Sequence, residues 1–106
     1  MYSPKIVSGT VSRSVADAYG IVRGLASNKP YSVTSEDPAA GKVVFSQGKT
    51  MFSWGYEFEV VVTAADGGAT VEVTTGGKDG APRALLDGKK HEKAAKKFFD
   101  AVVAAA

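Results

Sequence analysis

The chain contains no cysteine among its 106 residues. This absence excludes disulfide bonds, thiolate nucleophiles and thiolate metal sites, and it favours a reducing compartment such as the cytoplasm. A single histidine is present, which is too few ligands for a transition-metal centre, so we expect no metal and no cofactor. No run reaches the roughly 18 apolar residues that a membrane helix needs, and residues 1–4 have no targeting character, so no membrane span is predicted.

What remains is the composition of an ordinary globular protein, with 44% apolar and 23% charged residues. A chain of this length forms one hydrophobic core, so we predict a single α+β domain over residues 1–106. The net charge of +2 conceals an asymmetry, because Lys and Arg concentrate in residues 78–97.

The first third of the chain predicts a strand followed by a helix. The β-rich run 5–11 is followed by Ser14 and Asp17, which have capping-box spacing, and apolar residues then recur at helical intervals. The helix is expected to end near Ser27 and Asn28. Gly20 and Gly24 weaken such a helix, which indicates close approach of another backbone, from the sheet or from a partner subunit.

An aromatic strand over residues 50–63 is the clearest signal. Large apolar residues occupy every second position there, and only a strand places them all on one face. These residues are Phe52, Trp54, Tyr56, Phe58, Val60 and Val62. We expect this strand to form the centre of an antiparallel sheet.

Two predicted turns set the register of that strand with its neighbours. Asp66-Gly67 favours a type I′ hairpin turn, and Gly48-Lys49 is taken as the centre of a second hairpin loop. The predicted cross-strand pairs are Val60 with Val73, Val62 with Val71, Phe45 with Phe52, and Val43 with Trp54.

An amphipathic helix is predicted after Asp87-Gly88. Its inner stripe comprises His91, Ala94, Ala95, Phe98, Val102 and Ala105. The whole chain then reads β-α-β-β-β-β-α, a five-stranded antiparallel sheet with both helices on one face.

This order of elements resembles the TBP-like or helix-grip arrangement. The segment FSWGY at 52–56, the run LLDGKK at 85–90 and the pair Phe98-Phe99 also look like small bacterial domains of unknown function with this shape. The resemblance implies a fold that hosts DNA binding, lipid or polyketide binding, and purely structural roles. It implies no catalytic residues.

Three aromatic residues are candidates for a ligand pocket. Trp54, Tyr56 and Phe98 would line a space between the sheet and the last helix, as in helix-grip binders of hydrophobic molecules. The alternative is that they only fill the core.

A candidate anion site lies at the start of the last helix. Arg83, Lys89 and Lys90 lie near a helix N-terminus, where the macrodipole favours a negative group such as phosphate or carboxylate. The alternatives are that Asp87 as N-cap offsets the lysines, or that the lysines form a solvated helix face.

Carboxylates dominate the open face of the predicted sheet. Glu57 and Glu59 share that face, with Glu72 diagonal to Glu59, and such a group can do acid–base work, bind a hard cation or simply solvate the sheet. DNA binding by the sheet face is not expected, because phosphates need Lys or Arg there.

His91 lies on the inner stripe of the last helix, which favours a role in packing over one in catalysis.

The leading interpretation is a small noncatalytic binding or interaction module that works through a protein partner or self-association. One alternative is a hydrophobic small-molecule binder of the helix-grip type. The other is a cyclase-like or hydrolase-like enzyme that uses Tyr56 or the glutamates.

Overall fold

The structure is a computed structural model that describes residues 1–48, 55–78 and 87–106. Its strands are β1 (Tyr2–Val11), β2 (Tyr31–Asp37), β3 (Lys42–Gln47), β4 (Tyr56–Ala65) and β5 (Gly68–Gly77). Its helices are α1 (Val15–Ala26) and α2 (Asp87–Ala105), and a short 3-10 turn spans Pro38–Ala40.

The strands form one antiparallel sheet in the order β1-β5-β4-β3-β2. Strands β2 to β5 follow one another as a meander, and β1 pairs with the last strand. The buried side chains of α1 and α2 join those of one sheet face in a single core cluster. The α+β fold class, with β4 at the centre and both helices on one face, is therefore confirmed.

Helix α1 begins and ends as its sequence predicts. The Ser14 hydroxyl accepts a hydrogen bond from the Asp17 backbone N–H at 3.1 Å, and Ser27 is the C-cap. The buried positions Ala18, Val22 and Ala26 form its inner stripe.

The predicted close approach of a sheet backbone to Gly20 and Gly24 is wrong. A Cβ added at either position meets no atom within 4 Å. Both glycines are exposed on the outer side of α1, so their cost in helix stability is not offset by packing in the part of the chain that the structure describes.

Replacing Gly20 or Gly24 by alanine is therefore expected to stabilise the domain. Each substitution should raise the free energy of unfolding by about 0.5–1 kcal/mol, because alanine favours the helix and restricts the unfolded chain. Equilibrium urea denaturation measures the change. A loss of stability at either position would reveal a contact that excludes the added methyl group.

Strand β4 starts later than predicted. Gly55 has a φ of +94°, outside the extended region, and the strand begins at the next residue, Tyr56. From Tyr56 onward the predicted alternation holds, with Phe58 and Val60 fully buried. The predicted strand positions Phe52 and Trp54 lie outside the described residues.

The predicted register between β3 and β4 is wrong. The observed partners are Phe45 with Phe58 and Val43 with Val60, in place of the predicted partners Phe52 and Trp54. The residues Gly48-Lys49 predict a tight loop, whereas the eight residues 48–55 separate the two strands. Because the partner moves by an even number of positions, every side chain keeps its predicted face.

The predicted register between β4 and β5 is confirmed. Val60 lies opposite Val73, and the hairpin turns at Asp66-Gly67. The turn type is wrong, however. A type I′ turn requires positive φ at both central residues, and only Gly67, at +75°, has it.

Helix α2 buries His91, Ala95, Phe98 and Val102 and half-buries Ala94, as its apolar spacing predicts. Ala105 is exposed instead, beside a surface depression that it shares with α1.

Neither helix within the described ranges is long and apolar enough to cross a membrane.

Candidate functional site

Three tyrosines lie in one row across the inner face of the sheet. Tyr2 of β1 pairs with Gly77, Gly77 with Tyr56, Tyr56 with Gln47, and Gln47 with Tyr31 of β2. Tyr2, Tyr56 and Tyr31, hereafter the tyrosine row, therefore occupy the end of the sheet where β3 and β5 stop and β4 starts. Tyr31 and Tyr56 have the same parity as the core residues of their own strands. The bulge between Tyr2 and Lys5 brings Tyr2 to that face as well, so all three face the helices.

His91 lies against two members of the row. Its ring meets Tyr2 edge-on at a centroid distance of 5.5 Å and Tyr56 at 5.7 Å, and the residue is only 2% exposed. Nδ1 lies 2.8 Å from the Ser3 carbonyl oxygen. A carbonyl only accepts, so Nδ1 carries a proton and donates it there.

The absence of a side chain at Gly77 makes room for Tyr2. A Cβ at Gly77 would overlap the Tyr2 ring, and both residues are buried. The Tyr2 ring therefore lies directly over Gly77 and against the ring of His91. The contact between Tyr2 and His91, together with the hydrogen bond from His91 to the Ser3 carbonyl oxygen, joins the start of β1 to the start of α2.

Thr75 lies one row deeper on the same face. It pairs with Phe58 on one side and Lys5 on the other, and it is fully buried. Its hydroxyl oxygen has no hydrogen-bond partner in the part of the chain that the structure describes. A buried polar atom left in this state costs about 1–3 kcal/mol, so native proteins rarely keep one without a reason.

Three phenylalanine rings, hereafter the ring cluster, fill the space between sheet and helices beneath the row, and Tyr31 of the row packs on them. Phe45 and Phe58 stack at a centroid distance of 4.7 Å, and Phe98 of α2 lies 4.7 Å from Phe45. Tyr31 meets Phe45, Phe58 and Phe98 edge-on. Burial raises the pKa of the Tyr31 phenol, which therefore remains a neutral hydrogen-bond donor at physiological pH.

The predicted pocket residues have different positions in this arrangement. Tyr56 is half-buried in the tyrosine row, whereas Phe98 is fully buried in the ring cluster. Trp54 lies outside the described residues. A ligand-lining role for these three residues stays a prediction.

The predicted anion site is described only in part. Lys89 and Lys90 are exposed in the first turn of α2, and Arg83 lies outside the described residues. Sequence reasoning missed Lys5, whose Nζ lies 3.8 Å from where a Cβ of Gly88 would be. The pairing of β1 with β5 brings Lys5 to this end of α2, and no local signal predicts it.

The open face of the sheet is acidic, as predicted, but two carboxylates have cationic partners. Glu59 forms an ion pair with Lys42 at 3.4 Å, and Glu57 lies 3.9 Å from the Met1 amino group. Glu72 is diagonal to Glu59 in the confirmed register. Within the described residues, no group of three or more His, Asp or Glu could hold a metal ion.

Three surface depressions lined by described residues lie away from the tyrosine row. The first, of about 490 Å³, is lined by residues 10–13 together with Val103 and Ala106. The others, each of about 450 Å³, lie between α1 and the end of α2 and along the lysine-rich side of α2. None of the three includes Tyr2, Tyr56 or Tyr31.

No protein-family model matches the chain, and no curated protein matches it in sequence. Solved structures match it over nearly its whole length. Ara h 8.0201 has a TM-score of 0.66 at 13% identity, covering 96% of this chain and 95% of that one. The protein MLL2253 from Mesorhizobium loti has a TM-score of 0.65 at 9% identity, covering 95% and 94%.

TTHA0849 from Thermus thermophilus matches with a TM-score of 0.57 at 12% identity, covering 97% of this chain and 99% of that one. At such low identities the likeness shows the fold alone. The chain thus has a helix-grip-like α+β fold, as the order of its elements predicts.

Proposed function

We propose that this domain is a noncatalytic binding module for a small, largely apolar ligand that carries one polar group. The buried Thr75 hydroxyl is the observation that supports this proposal most strongly, because it lacks a hydrogen-bond partner among the described residues. A ligand atom that bonds this hydroxyl would remove its desolvation cost. The helix-grip resemblance, whose implied roles include lipid or polyketide binding, agrees with a ligand of this kind.

The ligand would bind at the tyrosine row, because Phe45, Phe58 and Phe98 fill the deeper space. Tyr2 covers Gly77, which is two positions from Thr75 on the same strand face. Rotation of the Tyr2 side chain would therefore open a path to the Thr75 hydroxyl. The rings of the row would then contact the apolar part of the ligand.

Two features favour binding over catalysis. His91 is only 2% exposed and packs edge-on against Tyr2 and Tyr56, as a packed core residue does. Tyr56 faces the helices, and Glu57 and Glu59 project from the opposite face of β4. The tyrosine and these glutamates therefore cannot act together on one substrate.

Thr75→Val tests the proposal by separating stability from binding. Valine has the shape of threonine without its unpaired hydroxyl, so the free energy of unfolding of the free protein should rise by about 1–2 kcal/mol. Affinity for dodecanoic acid, measured by displacement of anilinonaphthalene sulfonate fluorescence, should fall about 2- to 10-fold through the lost hydrogen bond.

Thr74→Val is the matched control, because Thr74 lies next in the chain on the open face of the sheet. It should leave fatty-acid affinity unchanged. A destabilising Thr75→Val would show that the hydroxyl already has a partner in the fold, which contradicts the proposal. Failure of the wild-type protein to bind either probe would contradict it as well.

A further inference from the structure

The sheet has two edges, and β2 is a protected one. A bulge interrupts its pairing between Val33 and Ser35, and the acidic residues Glu36 and Asp37 follow. Glu36 also forms an ion pair with Arg23 of α1 at 2.7 Å. Bulges and charges of this kind prevent another strand from extending a sheet.

The opposite edge, β1, lacks such protection over most of its length. Its irregular part is confined to the start, where Ser3 has a φ of +44° and the register shifts between Tyr2 and Lys5. From Ile6 to Val11 the strand has no charge, no proline and a regular register with β5. No strand among the described residues pairs with its outer side, so a row of backbone N–H and C=O groups is available there.

Exposed apolar side chains flank this same edge on both faces of the sheet. In the described ranges the exposed large apolar residues are Ile6, at 60%, and Val103, at 47%. Ile6 projects from the open face of β1, and Val103 of α2 lines a depression together with Val11. Phe99 of α2, half-buried over Gly9, extends the apolar surface along the strand.

We propose that a second copy of this chain pairs with the edge of β1, antiparallel and across a two-fold axis, so that two five-stranded sheets become one continuous sheet. The regular segment Ile6 to Val11 supplies the backbone hydrogen bonds. Lys5 is the only charged residue of β1. In an antiparallel pair the Lys5 side chains of the two copies lie near opposite ends, so their like charges stay apart.

The positions of the helices agree with this arrangement. Helix α2 packs over β1 and β5, so its axis lies about half a strand spacing inside the edge. Two-fold pairing places the two α2 axes about two strand spacings apart, or roughly 10 Å. Helices pack at about 8–10 Å, so the side chains that α2 turns toward the edge, Phe99 and Val103, meet those of the partner.

Sedimentation velocity across a dilution series tests the pairing. The wild-type chain of 11.0 kDa should sediment as a dimer that dissociates on dilution. Ile6→Lys should weaken the dimer at least tenfold, because it places a charge beside the paired strands. Ser32→Lys, which puts the same charge on the exposed face of β2, should leave the dimer intact.

A wild-type chain that is monomeric at every concentration overturns the proposal, as does an Ile6→Lys dimer of unchanged affinity. Ile6 is mostly exposed, so the variant is expected to fold, and far-UV circular dichroism checks this.

Crosslinking through a single introduced cysteine gives an independent test, because the chain has none of its own. Ser8→Cys lies in the middle of the regular part of β1, and a short bis-maleimide should join two such chains. Ser32→Cys on β2 should crosslink only at the rate of random collision. Equal yields from the two variants would overturn edge pairing through β1.

Discussion

Replacing Phe98 by alanine is expected to lower the free energy of unfolding by about 3–5 kcal/mol. Phe98 is fully buried and contacts the rings of Phe45, Phe58 and Tyr31. The sheet holds Phe45 and Phe58 in a stack at 4.7 Å, so these rings cannot move far into the space that the substitution leaves. Urea denaturation followed by circular dichroism measures the loss.

The magnitude matters because a small domain has only about 5–15 kcal/mol of stability in total. Lys97→Ala is the control on the same helix, since Lys97 is exposed and should change stability by less than about 0.5 kcal/mol. A cost below about 1 kcal/mol for Phe98→Ala would mean that its ring does not fill the core as described, since such truncations normally cost several times more.

Gly41→Ala is expected to cost about 2 kcal/mol or more, which is the second large effect. Gly41 ends the 3-10 turn with a φ of +66°, a conformation that alanine adopts only with strain. The added Cβ would also overlap the Val62 carbonyl oxygen. That segment of β4 cannot move away freely, because the Val62 N–H donates to the Gly41 carbonyl oxygen at 2.8 Å.

Comparison with Gly20→Ala isolates the cause, because that glycine has open space around it and an ordinary helical backbone. The change from glycine to alanine should therefore destabilise the domain at Gly41 and stabilise it at Gly20. Thermal unfolding of both variants gives the comparison. A neutral Gly41→Ala would show that the turn tolerates a different backbone conformation.

Local signals in the sequence predict much of the fold. The alternation from Tyr56 to Val62 correctly assigns the inner face of β4, because a period of two is specific to strands. The Asp66-Gly67 turn correctly sets the register with β5, since few residues separate the two strands. The Ser14 cap correctly places the start of α1, because capping depends only on neighbouring residues.

The turn signal between β3 and β4 predicts the wrong register for their pairing. Gly48-Lys49 has the composition of a tight turn, but the positive φ of Gly55 delays the start of β4. Where a connection is long, turn chemistry alone does not determine which residues face each other. The observed partners differ from the predicted ones by an even number of positions, so each side chain lies on its predicted face and the predicted core is correct.

The candidate site was only partly predictable. Their spacing predicts that Tyr56 and His91 lie on inner faces, but it does not predict that their rings meet. Tyr2 joins them only because β1 pairs with β5, a contact between distant parts of the chain. Thr75 was predictable in principle, since it shares parity with Val73 in the correctly predicted hairpin.

The position of β1 beside β5 also bears on how the chain folds. Strands β2 to β5 can pair through connections between successive strands, whereas β1 pairs with a strand far along the chain, as in Val7 and Val73, which are 66 positions apart. Closing so long a loop costs entropy before any contact offsets it, so we expect β1 to join last and slowly. Until it does, β5 is an open edge, and Tyr2 and Ser3 are not yet beside His91. The last step that completes the sheet therefore also completes the tyrosine row, and a chain stalled before that step has no site.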